Sequence, residues 1–317
     1  MNNLLIGFFR LIRAPNLVFI IVTQVLFYFL IVIPAHQQHD NEPPHLNTAA
    51  FFLLVGASVF IAAAGYIIND YFDLNIDRVN KPDQLVIGQW VSRRWAMVWH
   101  FLLSGMGLMM TAYVSAETKN GLLLLANGAT VILLWVYSTT YKKKILSGNV
   151  IISLLTAWVV GVIFVADTEW RYNGLLPIRK KSMVDLYTAA VFYTGFAFLV
   201  SMIREIVKDL EDQEGDRRYG CTTVPIAWGV FTTKVIVAVL LAVLTILLVL
   251  VCLYSLISGW FAIPIYGFLL MLIPVFKVGN RLKSAQTASD FGALSRSIKF
   301  IMLWGILSMV LYNYYLV

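Results

Sequence analysis

Apolar positions in this chain neither alternate nor recur at helical intervals within a polar background; they come in long, nearly unbroken runs. Nine runs stand out, at approximately 17–34, 49–71, 95–115, 121–138, 149–166, 186–207, 234–256, 259–276 and 298–316. Each is close to the roughly 20 residues that a helix needs to cross a bilayer core. The shortest interruption separates the seventh run from the eighth, where only Ile257 and Ser258 intervene before Gly259 opens the next. Ahead of the first run, LLIGFFRLIR at 4–13 sets Arg10 and Arg13 beside an apolar face, which predicts a short surface helix leading into the first span. The pattern predicts an all-α polytopic membrane protein of nine transmembrane helices, organised as one domain over residues 1–317.

Composition agrees, with 60% hydrophobic and only 13% charged residues, where a soluble domain carries about a quarter charged. No small-residue cleavage site precedes the first run, so a cleavable signal is not expected. Cys221 and Cys252 are far apart and lack metal-type spacing, so neither a disulfide framework nor a cysteine-rich zinc site is implied. The net charge of +7 reports orientation more than an acidic partner: 19 of the 24 basic residues fall on the side of the N-terminus and of connections 2–3, 4–5, 6–7 and 8–9. By the positive-inside rule that side is cytoplasmic, and with nine spans the C-terminus is outside. The Arg179-Lys180-Lys181 cluster runs against this count, and we have no physical account of it.

The acidic residues are more concentrated still. Ten of the 17 lie in windows 70–83 and 205–216, at the ends of spans 2 and 6, hence on one membrane face. Asp70, Asp73 and Asp77 have an echo 139 residues later in Asp209, Asp212 and Asp216, both sets at i, i+3 and i+7. At about 100° per residue those offsets fall within roughly 60° on a helix, giving one acidic face per set. The offset also suggests two four-helix halves plus one helix. Three carboxylates on one face repel each other unless a cation compensates. Hard oxygen ligands in two such sets suit Mg²⁺, which takes one or two carboxylates and completes its shell with water and phosphate oxygens. Arg78, Lys142, Arg204 and Lys208, beside the same helix ends, can take the remaining charge of a diphosphate. The plain alternative, solvated loop acids balancing arginines, suits one cluster better than two of identical spacing.

The two motifs resemble those of the UbiA superfamily of intramembrane prenyltransferases. Its NDxxDxxxD pattern stands here as Asn69-Asp70-x-x-Asp73-x-x-x-Asp77, followed by Arg78 and Asn80-Lys81-Pro82. A second, DxxDxxxD, stands as Asp209-x-x-Asp212-x-x-x-Asp216 after Arg204-Glu205-Ile206-Val207-Lys208. Tyr137-Ser138-x-x-Tyr141-Lys142 and Gly148-Asn149 also resemble family positions. One departure is Asp83-Gln84-Leu85, where the family commonly continues x-R-P after N-K-P.

The resemblance implies Mg²⁺-dependent transfer of a polyprenyl group from its diphosphate to a membrane-embedded acceptor, in a central cavity opening to the cytoplasmic face. It implies Asn69, Asp70, Asp73, Asp77, Asp209, Asp212 and Asp216 as metal ligands, with two Mg²⁺ bridging the diphosphate. Arg78, Lys142, Arg204 and Lys208 are expected on phosphate oxygens. Tyr137 and Tyr141 are expected beside the allylic cation, and Asn149 and Arg13 to bind substrate. The run around Arg204 most resembles the branch acting on (geranylgeranyl)glyceryl phosphate-type lipids and chlorophyll; aromatic and quinone-precursor acceptors stay open. Partners beyond these substrates and membrane lipid, nucleic acid or protein, are not expected.

Other residues invite simpler readings. His36, His39 and His45 are expected in a solvated external loop between spans 1 and 2, and His100 as an interhelical hydrogen bonder. Gly65, Gly195 and Gly229 are expected to permit close helix contact. A cation or small-molecule transporter is the main rival, but transporters set ionisable groups near the bilayer midplane. Here the acids stand at helix ends. A cyclase or hydrolase would share the same ionising apparatus.

Overall fold

The computed structural model describes residues 2–39, 43–168 and 181–316. Among these, nine helices are long and apolar enough to cross a membrane, and no residues form a sheet beyond an isolated Ile87–Val91 bridge. A surface helix α1 (Asn2–Leu11) precedes them. The spans are α2 (Ala14–Gln37), α3 (Thr48–Asn80), α4 (Arg93–Glu117), α5 (Gly121–Thr139), α6 (Ser147–Asp167) and α7 (Val184–Glu211). A short α8 (Gln213–Arg218) leads to the remaining spans, α9 (Val224–Ile257), α10 (Ala262–Ser284) and α11 (Ala288–Tyr315). The break expected near 259 is real: Gly259 takes a positive φ of 78° between α9 and α10. Arg171, Arg179, Lys180, Asp40 and Glu42 lie outside the described residues, as does the Lys181 side chain.

The chain forms two compact units, one of residues 1–142 with 158–190, the other of 143–157 with 191–317. The division passes through α6 and α7, each of which gives part of its length to each unit.

In the first unit α3 is the central element. Asn47 caps it, accepting from the Ala50 N–H at 2.9 Å, and small residues let its neighbours approach. A Cβ on Gly107 of α4 would lie 2.7 Å from Ile61 Cγ1 and 3.1 Å from the Ala57 carbonyl. Gly65 meets Leu134 of α5 in the same way, at 2.8 Å. Valine at Gly107 is therefore expected to lower stability by about 1–3 kcal/mol, read as a drop in thermal midpoint in detergent. An unchanged midpoint would show that α3 and α4 part freely there. His100 bonds the Ala64 carbonyl through Nδ1 at 2.9 Å, the expected interhelical role.

The loop reading of His36 is corrected. The first span continues beyond the apolar run and buries His36, with Nε2 2.8 Å from Asp167 Oδ2 at the end of α6. Leu46 N–H donates to Asp167 Oδ1 at 3.0 Å, and Tyr28 Oη to the Leu46 carbonyl at 2.6 Å. His45 is exposed, and the side chain of His39 lies outside the described ones.

The second unit packs α9, α10 and α11 around the later part of α7, with Val207, Leu241, Val275 and Ile298 in its core. Tyr193 Oη lies 3.2 Å from Ser308 Oγ, and Gly305 leaves room for the ring of Phe196, whose Cε1 is only 2.1 Å from where a Cβ would be. Two glycines differ from expectation. No atom lies within 4 Å of a Cβ built on Gly195 or Gly229, so neither serves close contact. Gly229 instead kinks α9 with φ 84° and ψ 160°, a conformation that glycine adopts without steric cost.

Both units contain one widened π turn, Tyr28–Val32 in α2 and Gly267–Leu272 in α10, and each is followed by Ile-Pro. A proline cannot donate to the carbonyl four residues back and its ring crowds it. The wider turn accommodates both effects without ending the span.

Candidate active site

The first acid motif lies wholly within α3, which at 33 residues outruns the bilayer core, so its final turns carry polar side chains. Asp73 is only 2% exposed. Asn69 Nδ2 donates to its Oδ2 at 2.7 Å. The Lys142 ammonium donates to the same oxygen and reaches Asn69 Oδ1 at 3.4 Å. Lys142 comes from a 3₁₀ turn, Tyr141–Lys143, directly after α5. Burial alone would lower its pKa, but the charges of Asp73, Tyr137 and Asp77 outweigh that and hold it above the usual lysine range. Tyr137 is buried beside it, whereas Tyr141 is more exposed. Asp77 is half-buried within electrostatic reach of Asp73 and Lys142.

Asp70 has its own cation. Arg13, the corner residue between α1 and α2, takes a left-handed conformation with φ 50° and ψ 54°. Its guanidinium donates to Asp70 Oδ1 at 2.7 Å and stands over the Tyr66 ring at 5.3 Å. Arg13 therefore belongs to the acidic motif, neutralising it. Arg78 is exposed, with a long 3.5 Å contact to Asn75 Oδ1 on its own helix.

The second motif departs from the expected single helical face. Helix α7 ends at Glu211, and Asp212 takes φ −94° and ψ 9° as the residue that opens α8. Asp209 thus closes one helix while Asp216, buried, belongs to another. The Asp-Gln-Glu-Gly sequence explains the break. Asp and Gly are poor in helix interiors, and an Asp at a helix start is well tolerated. Asn149, at the start of α6, donates to Asp209 Oδ2 at 2.9 Å.

Glu205 is the residue that sequence reasoning missed. Its Oε1 accepts from Arg204 Nη1 at 2.9 Å and its Oε2 lies 3.4 Å from Lys208 Nζ, so one carboxylate steers both cations. The R-E-x-x-K spacing carried that signal.

Among the described residues no three carboxylate, imidazole or thiol groups converge into a metal cage. Each motif instead offers a few hard oxygens, and on the first an ammonium already stands against the Asn69 and Asp73 oxygens. That donor set fits Mg²⁺, which shares its shell with water and phosphate, better than Zn²⁺, which prefers His and Cys.

Nine apolar spans among the described residues, two of them carrying carboxylate sets at their ends, define an integral membrane protein. The UbiA prenyltransferase family model matches residues 25–307, and the chain belongs to that family. It is thus an intramembrane prenyltransferase. The chain is 32% identical over 249 residues to the digeranylgeranylglyceryl phosphate synthase of Methanothermobacter thermautotrophicus, covering 78% of this chain and 79% of that one. It is also 32% identical over 268 residues to the protein of that name in Methanopyrus kandleri, covering 83% and 87%. Its fold is similar to a solved structure concerned with digeranylgeranylglyceryl phosphate synthase in membranes, at TM-score 0.63 and 25% identity, with 99% of both chains covered. A UbiA homolog from Archaeoglobus fulgidus bound to GPP and Mg²⁺ shares the fold at TM-score 0.57 and 19% identity, covering 96% of this chain and 99% of that one.

Proposed function

We propose that the protein transfers a polyprenyl group from its diphosphate to a (geranylgeranyl)glyceryl phosphate-type lipid, with Mg²⁺. The observation that carries this reading is the first motif, where Asp73 and Asp70 are kept beside Lys142 and Arg13 at the end of α3. Carboxylate oxygens of this kind suit a hard cation. The names of the relatives support the acceptor, and the Mg²⁺ and GPP bound by the Archaeoglobus fulgidus homolog support the donor.

In this reading Asn69, Asp70, Asp73 and Asp77 of the first motif, and Asp209, Asp212 and Asp216 of the second, would hold Mg²⁺, two ions in all. When bound, Mg²⁺ would neutralise diphosphate oxygens and make the group a better leaving group. Arg78, Lys142, Arg204 and Lys208 would hold phosphate oxygens by charge-assisted hydrogen bonds. Tyr137 and Tyr141 offer ring faces to the allylic carbon. The C1–O bond of the donor breaks with its electron pair on the diphosphate, the acceptor hydroxyl oxygen bonds to C1, and its proton is released. The motif-bearing face is cytoplasmic, as the distribution of lysine and arginine favours.

The test is diphosphate release from geranylgeranyl diphosphate by purified protein in liposomes, with and without Mg²⁺. Glyceryl phosphate lipids and quinone precursors are compared as acceptors. Release that needs both Mg²⁺ and the glyceryl phosphate lipid is expected. Release with no acceptor would make the protein a cyclase or hydrolase, and release only with a quinone precursor would move it to the aromatic branch.

A further inference from the structure

Helix α10 ends in a stretch with two unlike sides. Val275, Val278 and Leu282 are buried in the core of the second unit, while Phe276, Lys277, Asn280, Arg281, Lys283 and Ser284 are exposed. Lys277, Arg281 and Ser284 follow one another at i, i+4 and i+7, so they form one row along the outer side of the helix. Phe276, beside that row, is 70% exposed.

Depth makes this row costly. Lys277 stands about 22 Å of helix rise beyond Ala262 and Arg281 about 28 Å, both within the roughly 30 Å of a hydrocarbon core. An outward-facing cation at that depth is unfavourable unless its stem carries it to the headgroups and an anion meets it there. This part of the chain has little to offer. Between Tyr219 and Val317 there are six basic residues and a single acid, Asp290. Its Oδ2 accepts from the Gln286 and Thr287 N–H groups at 3.0 and 2.9 Å, and the cation felt there is Lys234 of α9. Glu211 of α7 lies against Gly292 of α11. Among the described residues, Lys277, Arg281 and Lys283 make no ion pair. At other helix ends the cations are matched, Arg13 with Asp70, Lys142 with Asp73 and Arg204 with Glu205.

Two simpler accounts fall short. The negative end of the helix dipole favours cations only within the last turn, which suits Arg281 and Lys283 and leaves out Lys277. Lys234 also donates to the Ala285 carbonyl at that end already. Membrane orientation requires cations on one side, but not two like charges one turn apart on an outward face, where they repel each other.

We infer that Lys277 and Arg281, with Asn280 and Ser284 beside them, form a headgroup site for an anionic phospholipid. A phosphodiester between the ammonium and the guanidinium meets two charge-assisted donors, and the Phe276 ring stands at the depth of the acyl chains. A zwitterionic headgroup brings its own cation and gains less from the pair, so the occupant is a lipid of net negative charge. Such a lipid is a neighbour of the enzyme and not its substrate, and the site is the same whichever acceptor is prenylated.

Native mass spectrometry of the detergent-solubilised protein, titrated with phosphatidylglycerol or phosphatidylcholine, reads the first lipid bound. We expect the unaltered protein to bind phosphatidylglycerol about tenfold more tightly than phosphatidylcholine. Lys277→Gln alone should weaken phosphatidylglycerol about fivefold, and Lys277→Gln with Arg281→Gln about tenfold or more, with phosphatidylcholine changed by less than about twofold. Lys277→Arg keeps the charge and should keep the affinity. An unchanged thermal midpoint shows that each variant is folded, and Lys277→Gln, a single exposed position, carries the comparison if the double change costs folding. Equal binding of the two lipids by the unaltered protein overturns the inference. Undiminished phosphatidylglycerol binding by the folded variants places the lipid elsewhere and overturns it as well. Inorganic phosphate that displaces phosphatidylglycerol at equal concentration makes this a site for free anions, which also overturns the assignment to a lipid.

Discussion

Asp73→Asn is expected to reduce Mg²⁺-dependent diphosphate release by at least about 10²–10³-fold, the scale of losing one preorganised group at developing charge. The substitution keeps the size of the side chain and its hydrogen bonding to Asn69. It removes the charge that faces Lys142 from a carboxylate only 2% exposed. Stability should fall too, because Lys142 is left without its counter-charge. That loss is held to roughly 2 kcal/mol, below the range for fully buried pairs, since the lysine side chain is 32% exposed. Two effects therefore overlap, and a second variant separates them. Asp73→Asn combined with Lys142→Met removes both charges and should recover most of the thermal midpoint while activity stays lost. Recovery of activity with the midpoint would reduce Asp73 to a structural ion-pair partner. A single Asp73→Asn protein with undiminished release would remove the first motif from the chemistry.

Asp167→Ala should unfold the protein more readily than any change at the acid motifs, by about 3–5 kcal/mol. Its carboxylate is fully buried and serves two partners, His36 Nε2 and the Leu46 N–H. Alanine takes this buried acceptor from both. Because Leu46 sits just before α3 begins and Asp73 lies about 37 Å further along that helix, the surviving folded protein should keep its turnover per molecule. Thermal unfolding in detergent beside steady-state kinetics checks both halves. A midpoint within a degree of the unaltered protein would mean that the His36–Asp167 pair contributes nothing.

The helical content and the spans were written openly in the hydrophobic runs, and the first acid motif could be placed on one face of α3 because α3 continues unbroken to Asn80. The second motif has the same spacing and a different outcome. Periodicity assumes an uninterrupted helix, and the turn at Asp212 depends on a short local contest between Asp, Gly and the following α8. His36 was unreadable for another reason. Its partner is 131 residues away, and a histidine beside a Pro- and Asn-rich stretch looks solvated until the fold brings α6 against it. Gly229 looked like a packing glycine because sequence shows only the missing side chain, whereas its function is its φ. Glu205 was overlooked among better-known neighbours, although its spacing to Lys208 is the ordinary i, i+3 of a helical ion pair.

Lys142 has one further consequence. Its ammonium rests on the same Asn69 and Asp73 oxygens that a divalent ion would claim, so loading these oxygens would be ion exchange rather than ion addition. Asp73 does not stand bare, and an arriving metal would replace a tethered cation instead of filling an uncompensated hole. The displaced ammonium would remain on its short turn beside α3.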